Sequence, residues 1–210
     1  MLQPSLTPLS SHVLTSQLDL SGNQLCGLNQ WGTGTYTAEG ITAIADALKV
    51  TASLTSLSLG DNNLGDDGVE ALSVGLKESK SLATLDLSNM SPLSTKFGPK
   101  GAAALASAIA VMGSITHIGE GGLDLRGNKL GDEGWGAIFA GVCSSEASKV
   151  ASIDASGEGI SPKGAKLIAE ALRTSVNSSL TSVWTPAHEP SPQSLPLFSC
   201  WQLLCGAPCS

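Results

Sequence analysis

The stretch 53–81 reads SLTSLSLGDNNLGDDGVEALSVGLKESKS and combines two hydrophobic periods in one unit. In its first part, Leu57 and Leu59 alternate with polar residues, a pattern that is typical of a strand. In its second part, small and large apolar residues recur at helical spacing as far as Leu76. The next unit opens at Leu82. A fixed period of this length predicts a solenoid of stacked units, because one unit cannot bury its apolar face alone.

The helical half of the unit returns five times along the chain. Each copy begins at a glycine, namely Gly40, Gly68, Gly101, Gly134 or Gly164. Large apolar residues follow at offsets four and eight, namely Ile44, Leu72, Leu105, Ile138 and Ile168, then Leu48, Leu76, Ile109, Val142 and Leu172. Offsets three and seven hold small residues in nearly every copy, with Leu167 as the exception. These four offsets share one helix face, so we predict five helices that approach a sheet closely.

The first half of the unit returns as a short strand that alternates between core and solvent. Its copies are Leu18-Asp19-Leu20, Leu57-Ser58-Leu59, Leu85-Asp86-Leu87, Leu123-Asp124-Leu125 and Ile153-Asp154-Ala155. Asn23, Asn62 and Asn128 stand three residues past the second apolar position. A buried asparagine there is expected to bond the turning backbone with both polar groups of its amide. Met90 and Glu158 take that place in the other two copies, so those turns are predicted to be built differently.

The segments LTSLSLGDNNLGDDGVEAL and LDLRGNKLGDEGWGAI resemble the leucine-rich repeat of the ribonuclease-inhibitor type. The same repeat type occurs in NOD-like receptors and in Ran GTPase-activating proteins. The resemblance extends from about Thr15 to Val183. It implies an α/β leucine-rich-repeat solenoid, a horseshoe with parallel strands on the concave face and helices on the convex face. Because this fold hosts many unrelated binders, the resemblance does not identify a partner.

Three regions are predicted along the 210 residues. Residues 1–14 form an irregular N-terminal segment without the basic and apolar regions of a secretory signal. Residues 15–186 form the solenoid, with five repeats and a sixth that opens as a strand at 180–183 and is broken where Trp184-Thr185-Pro186 replaces the expected continuation. Residues 187–210 form a proline-containing tail that we predict to be disordered. A solenoid end normally carries a polar capping unit, so the chain is either truncated or continued by a segment unrelated to the repeats.

The composition narrows the classes of partner. A net charge of −7 makes nucleic acid a poor partner, and no apolar run is long enough to span a membrane. Five cysteines, an odd number without regular spacing, indicate a reducing compartment, so we expect a cytoplasmic protein. We also expect a monomer. Cys200, Cys205 and Cys209 with His188 match no short zinc-binding spacing, so no metal or other cofactor is predicted.

Catalytic motifs are missing around the three histidines, and Gly119-Glu120-Gly121-Gly122 lacks the lysine and hydroxyl residue of a phosphate-binding loop. The sequence therefore predicts a non-catalytic module that binds a protein through its concave face or a rim. The alternative, a GTPase-activating protein for a small Ran-like GTPase, is implied only by the resemblance. That class needs a specific asparagine or arginine on the rim, and Arg126 is the lone basic residue of the strand face.

Three stretches depart from the regular repeat: 26–36, 91–97 and 119–122. The first carries Trp31 and Tyr36 and is either a binding loop with an aromatic anchor or a tolerated surface insertion. Pro92 and Pro99 predict irregular structure around the second. Since the three stretches fall at different points of the repeat, we expect independent drift and not one continuous surface.

The helix starts match known capping preferences, with Asp66, Asp132 and Ser161 as predicted N-caps and Pro162 at a first helical position.

A second candidate binding surface follows the polar residue between the two apolar strand positions. Read across the strands, that position holds Asp19, Ser58, Asp86, Asp124, Asp154 and Trp184. Neighbouring strands lie about 4.8 Å apart, so the four carboxylates are expected to form a ladder on the concave face, with Arg126 as the one positive charge beside it. Such a ladder either steers a partner with a basic surface, with Trp184 as its apolar anchor, or it is a solvated feature of the repeat sequence without a binding role.

Overall fold

The computed structural model describes residues 16–29 and 31–184, in which strands and helices alternate. The strands are β1 (Gln17–Asp19), β2 (Ser56–Ser58), β3 (Thr84–Asp86), β4 (His117–Ile118), β5 (Leu123–Asp124), β6 (Ser152–Asp154) and β7 (Ser182–Trp184). The helices are α1 (Glu39–Val50), α2 (Gly65–Leu76), α3 (Pro99–Ile109), α4 (Gly131–Cys143) and α5 (Pro162–Arg173). The predicted segments 1–14 and 187–210, with the tail cysteines and His188, lie outside the described residues.

The strands form one parallel sheet, and the helices stack beside it in chain order. Leu57 pairs with Leu18 on one side and with Leu85 on the other, so equivalent repeat positions lie side by side. Each helix packs against the next, from α1 to α5. The predicted α/β leucine-rich-repeat solenoid is confirmed. In the part of the chain that the structure describes, no helix is long and apolar enough to cross a membrane.

The core lies between the sheet and the helices and uses the predicted positions. The inward strand residues Leu57, Leu85 and Leu123 are fully buried. Leu72 and Ile138, which lie four residues after the glycine of their helices, are fully buried as well. Trp135 and Phe139 of α4 pack at a ring separation of 6.5 Å inside this core. At the first strand, by contrast, Leu18 keeps 37% of its surface exposed because no described strand lies beyond β1.

Strand β4 was not predicted, and it changes the strand order. The sheet runs β1-β2-β3-β5-β4-β6-β7, so β4 lies between β5 and β6. Ile118 pairs with Leu123 on one side and with Ile153 on the other. Gly119–Gly122 is therefore the turn by which the chain runs back before forming a second parallel strand, and not a simple extension of one strand. One repeat thus contributes two strands to the sheet.

Helix starts are capped by neighbouring repeats, and two of the predicted caps are wrong. Helices α2 and α4 begin one residue before Asp66 and Asp132, so these residues lie in the first turn. The Asp66 carboxylate instead accepts the amides of Gly98 and Gly101 at 2.7 and 2.8 Å, at the start of α3. Asp132 accepts the Ser161 amide at 2.8 Å, at the start of α5. Each carboxylate thus satisfies free amides of the following helix, where negative charge is also favourable.

The remaining cap predictions hold. Ser161 is the N-cap of α5, and its hydroxyl accepts the Lys163 amide at 3.1 Å. Pro162 opens α5 as predicted. Pro99, expected to exclude regular structure, opens α3 in the same way, because proline lacks only the amide that a first helical residue leaves unbonded.

This inter-repeat cap predicts a pH dependence of stability. Hydrogen bonds from the Ser161 hydroxyl and amide lower the pKa of Asp132 below its usual 3.8. A carboxyl with a depressed folded pKa stabilises the fold above the unfolded pKa, and this contribution is lost as the pH falls through the folded value. We expect Asp132→Asn to flatten the pH dependence of urea unfolding below about pH 4. An unchanged pH dependence in Asp132→Asn would contradict this role of the Asp132 carboxylate.

The strand-to-helix turns use asparagine as predicted, but through one side of the amide. Asn62 donates from Nδ2 to Leu20 O at 2.7 Å and to Leu59 O at 3.0 Å. Asn128 repeats this geometry, whereas Oδ1 of Asn62 has no partner among the described residues. Glu158 takes the equivalent place, and burial raises the pKa of its carboxyl. A carboxyl group lacks the two N–H donors of an amide, and Glu158 does not repeat the hydrogen bonds that Asn62 and Asn128 donate to the turn carbonyls.

Candidate functional site

The first inserted stretch folds into a small hairpin with an exposed tryptophan at its tip. An antiparallel bridge joins Leu28 to Gly34, and Asn29 N donates to Thr33 O at 2.9 Å. The Asn29 side chain holds the tip, because its Oδ1 accepts the Trp31 and Thr33 amides, both at 3.0 Å. Trp31 keeps 63% of its surface exposed. The hairpin therefore presents Trp31 from a hydrogen-bonded backbone.

The second inserted stretch forms a loop that is bonded to the turn after β2. Asp61 Oδ1 accepts the amides of Met90 and Ser91 at 2.9 and 3.2 Å. The Ser94 hydroxyl donates to Ser91 O at 2.8 Å and closes the loop. Leu93, at the outer part of this loop, is 62% exposed.

Asn63 joins the two inserted stretches. Its side chain is 1% exposed, with Nδ2 donating to Asn29 O at 3.0 Å and Oδ1 accepting the Thr95 amide at 2.7 Å. The loops also touch directly, since a Cβ added to Gly32 would lie 3.2 Å from Leu93 O. The expectation that the insertions do not form one continuous surface is wrong for these two, because Asn63 bonds both and both extend strand-to-helix connections on the same side of the sheet.

The joined loops make a surface that we call the rim surface, formed by residues 22–29, 31–36, 60–65 and 89–97. It exposes Trp31, Leu93 and Met90, the last with 58% of its surface accessible. It also contains a cleft of about 470 Å³. The cleft is lined by Gly22, Asn23, Gln24, Asn29, Trp31, Asp61, Asn63, Ser91 and Ser94. Exposed apolar side chains beside a polar cleft are typical of a surface that binds another molecule.

Tyr36, the second aromatic of the first insertion, is placed differently from Trp31. It is half-buried, and its hydroxyl donates to Leu64 O at 2.7 Å, just before α2. Burial and the neighbouring Cys26 thiol raise the pKa of the phenol. At this junction Tyr36 occupies the place that Asp66 and Asp132 have at later ones. Its contacts tie the insertion to the solenoid.

The polar strand positions of the concave face lie on neighbouring strands, with one interruption. Asp19, Ser58, Asp86 and Asp124 follow one another in register, and Asp154 pairs with Trp184. The unpredicted β4 separates Asp124 from Asp154 and places Gly119 between them. Of Trp184, only the backbone pairing is described.

The ladder carboxylates each bond the backbone at the end of their own strand. Every one accepts the amide of the residue two positions on, in the pairs Asp19–Ser21, Asp86–Ser88, Asp124–Arg126 and Asp154–Ser156. The Ser21 hydroxyl is the largest cause that lowers the pKa of Asp19. Ser58 adds a hydrogen bond to Asp86 at 3.0 Å. These aspartates therefore have a structural role in the repeats that contain them. This role accounts for the repeated aspartate even if the concave face binds no other protein.

Arg126 neutralises the middle of the ladder. Its guanidinium bonds Asp124 at 2.7 Å and Glu120 at 2.9 Å. Asp124 is 6% exposed, whereas Arg126 stays partly in solvent. The hydrogen bond and charge of Asp124 raise the pKa of the guanidinium further above its usual value. The concave face consequently offers a partner less negative charge than four separate aspartates suggest.

The fold and the repeat pattern define the chain as a leucine-rich-repeat solenoid. A family model described as a leucine-rich repeat matches residues 52–73 and 123–139. Comparison of the chain with curated proteins gives no match.

Among solved structures, the chain is similar to "Leiomodin-1 Actin-Binding Site 2 (ABS2)", at 14% identity and a TM-score of 0.49, over 76% of this chain and 79% of that one. It is also similar to the tropomodulin C-terminal domain from Caenorhabditis elegans, at 18% identity and a TM-score of 0.48, over 76% of this chain and 83% of that one.

Sequence reasoning missed three residues of the rim surface: Asn63, Asp61 and Leu93. The only signal was the doubled asparagine Asn62-Asn63, because the first and fourth repeats have Gln24 and Lys129 after the turn asparagine. Asn63 has a positive φ of 59°, a backbone conformation that asparagine tolerates better than most residues. A pattern analysis detects positions that hold the same kind of residue in every repeat. These three residues occupy positions that differ from one repeat to the next.

Proposed function

We propose that this protein is a non-catalytic interaction module that binds a protein partner through the rim surface. The observation that carries the proposal is the junction at Asn63, which brings two separate insertions together and fixes exposed Trp31 and Leu93 on one surface. Tryptophan is enriched among residues that dominate binding energy. A preformed tip also loses little conformational freedom on binding, which favours affinity.

The rim surface is a better candidate than the concave face, although both remain in the proposal. The concave carboxylates bond their own strand ends, and Arg126 compensates the buried Asp124. Trp31 and Leu93 have no comparable task in the fold, since their side chains are largely in solvent. If the concave stripe does contribute, it should act by steering a partner with a basic surface, an effect that salt weakens.

Affinity purification from cell extract with quantitative mass spectrometry tests the proposal. We expect Trp31→Ala and Leu93→Ala each to reduce recovery of a bound protein by about tenfold, because truncating a central apolar anchor costs more than 1 kcal/mol. Both side chains are exposed, so the variants should keep the wild-type melting curve. Asp86→Asn is the concave-face control and should retain the partner. Loss of the partner in Asp86→Asn alone would transfer the binding site to the concave face.

The alternative of a GTPase-activating protein gains no support from the site. The lone arginine of the strand face, Arg126, is held by Asp124 and Glu120 and is not presented for catalysis. An assay of GTP hydrolysis by small Ran-like GTPases distinguishes the two functions. We expect no acceleration by the wild-type protein.

We further propose a cytoplasmic monomer of the ribonuclease-inhibitor repeat type. Every helix in the described region has 11 to 13 residues, which supports a full helix in each repeat. Cys26 and Cys143 are free, buried thiols, and burial raises the pKa of each. Asn89-Met90-Ser91 and Asn177-Ser178-Ser179 match the pattern of an N-glycosylation acceptor, but the folded chain buries both asparagines, which are 4% and 8% exposed.

A further inference from the structure

The charge of the rim cleft indicates which kind of side chain the cleft can bind. Asp61 is the one ionisable residue among those that line the cleft. Within the described residues, no lysine or arginine lies within ion-pair distance of its carboxylate. Lys96, on the same loop as Leu93, donates its ammonium group to the carbonyls of Asn89 and Gly127. The cleft therefore keeps an uncompensated negative charge.

The Asp61 carboxylate is fixed in position but only partly used. Its Oδ1 accepts two backbone amides where the second insertion begins, Met90 N and Ser91 N. No hydrogen bond from a described residue reaches Oδ2, and the residue is exposed. Asp61 also has a positive φ of 53°, and the hydrogen bonds from the two backbone amides hold this conformation. A carboxylate with one bonded and one accessible oxygen can receive a donor from outside without rearranging the loop.

Trp31 supplies the second recognition element on the wall of the same cleft. Its indole ring is exposed, and its backbone is held by the Asn29 side chain. A cation over the face of a tryptophan ring is attracted by the negative electrostatic potential of that face. Arginine satisfies both elements, since its planar guanidinium stacks on aromatic rings and donates several hydrogen bonds to a carboxylate.

We propose that the rim cleft binds an arginine side chain presented by the protein partner, with Asp61 as the charge acceptor and Trp31 as the stacking surface. This inference rests on the proposed interaction function and specifies its partner chemistry. The polar lining, which includes Asn23, Gln24 and Ser94, offers further acceptors for the guanidinium donors. The negative net charge of the chain, −7, also favours approach of a basic segment.

Titration of the ¹⁵N-labelled protein with blocked Gly-Arg-Gly peptide, followed by NMR, tests this directly. We expect saturable shifts of the Trp31 indole and Ser91 amide signals at millimolar peptide. The citrulline peptide, which keeps the shape but lacks the charge, should bind about fivefold more weakly. Asp61→Asn should reduce this difference, because asparagine lacks the charge but keeps the hydrogen bonds from the Met90 and Ser91 amides and tolerates positive φ. Asp19→Asn, a carboxylate at another strand end, is the matched control and should keep the difference.

Equal binding of the arginine and citrulline peptides would overturn the inference, as would the absence of saturable shifts. An undiminished preference for arginine in Asp61→Asn would do the same. These failures differ from failure of the interaction function itself. If Trp31→Ala still loses the captured partner while Asp61→Asn retains it fully, the rim surface binds a protein but its cleft does not select arginine.

Discussion

Leu72→Ala is expected to lower the free energy of unfolding by about 2–5 kcal/mol, one of the two largest effects for any single change proposed here. Leu72 is fully buried at the centre of α2, between the sheet and its two neighbouring helices. Removal of the three side-chain carbons beyond Cβ loses apolar burial and leaves a cavity, because α1 and α3 hold α2 on both sides. In a solenoid the stability is a sum of repeat and interface terms, so an interior repeat affects two interfaces.

Equilibrium unfolding in urea measures this effect. Val74→Ala, on the same helix but with 53% of its side chain exposed, is the matched control and should change stability by less than about 0.5 kcal/mol. Similar losses for Leu72→Ala and Val74→Ala would contradict the assignment of the buried face of α2. A change in the urea dependence itself would indicate that the repeats no longer unfold together.

The regular part of the fold could be predicted because each repeat contains its own evidence. A strand position such as Leu57 and a helix position such as Leu72 recur with the same chemistry, so their burial follows from periodicity. Strand β4 is an exception to this periodicity, because its repeat contributes two strands to the sheet. Ile115-Thr116-His117-Ile118 already matches Leu54-Thr55-Ser56-Leu57, but Leu123 starts the same pattern again. A period search assigns one strand to each repeat and therefore treats the first of the two as a linker.

The sequence predicts the loop with Trp31 as a candidate, but the junction of the two insertions could not be predicted because it depends on distance across repeats. In a solenoid, equivalent positions of successive repeats lie side by side across the sheet, so residues far apart in sequence can be close in space. Neighbouring strands lie about 4.8 Å apart, so insertions two strands apart need only one bridging side chain to meet. Asn63, from the intervening repeat, is that side chain. Along the sequence, its partners Asn29 and Thr95 are separated by more than two full repeats.

The helix caps show the same difference between local and lateral reasoning. Capping rules consider a helix alone and therefore assigned Asp66 and Asp132 to their own helices. In the solenoid, the starts of adjacent helices lie side by side, and each of these carboxylates reaches the amides of the next one. The lysines follow the same arrangement, since Lys100 pairs with Asp67 and Lys163 pairs with Glu133 across repeats.

Close helix packing makes Gly75 the second position with a large expected effect. A Cβ added to Gly75 in α2 would lie 2.1 Å from the carbonyl oxygen of Ala45 in α1 and 2.7 Å from its Cα. These are backbone atoms, so the clash is relieved only if the two helices move apart. Alanine raises helix propensity by about 1 kcal/mol relative to glycine, which opposes this cost.

We expect Gly75→Ala to lower the free energy of unfolding by about 3 kcal/mol, because the overpacking cost exceeds the gain in propensity. Separation of α1 from α2 should also weaken amide protection in α1, which hydrogen exchange measures residue by residue. Gly113→Ala is the control, since its added Cβ meets its nearest atom at 3.7 Å, an ordinary contact. A stabilising effect of Gly75→Ala would mean that α1 moves freely relative to α2. In that case the small residues of the helix face reflect propensity and not close packing.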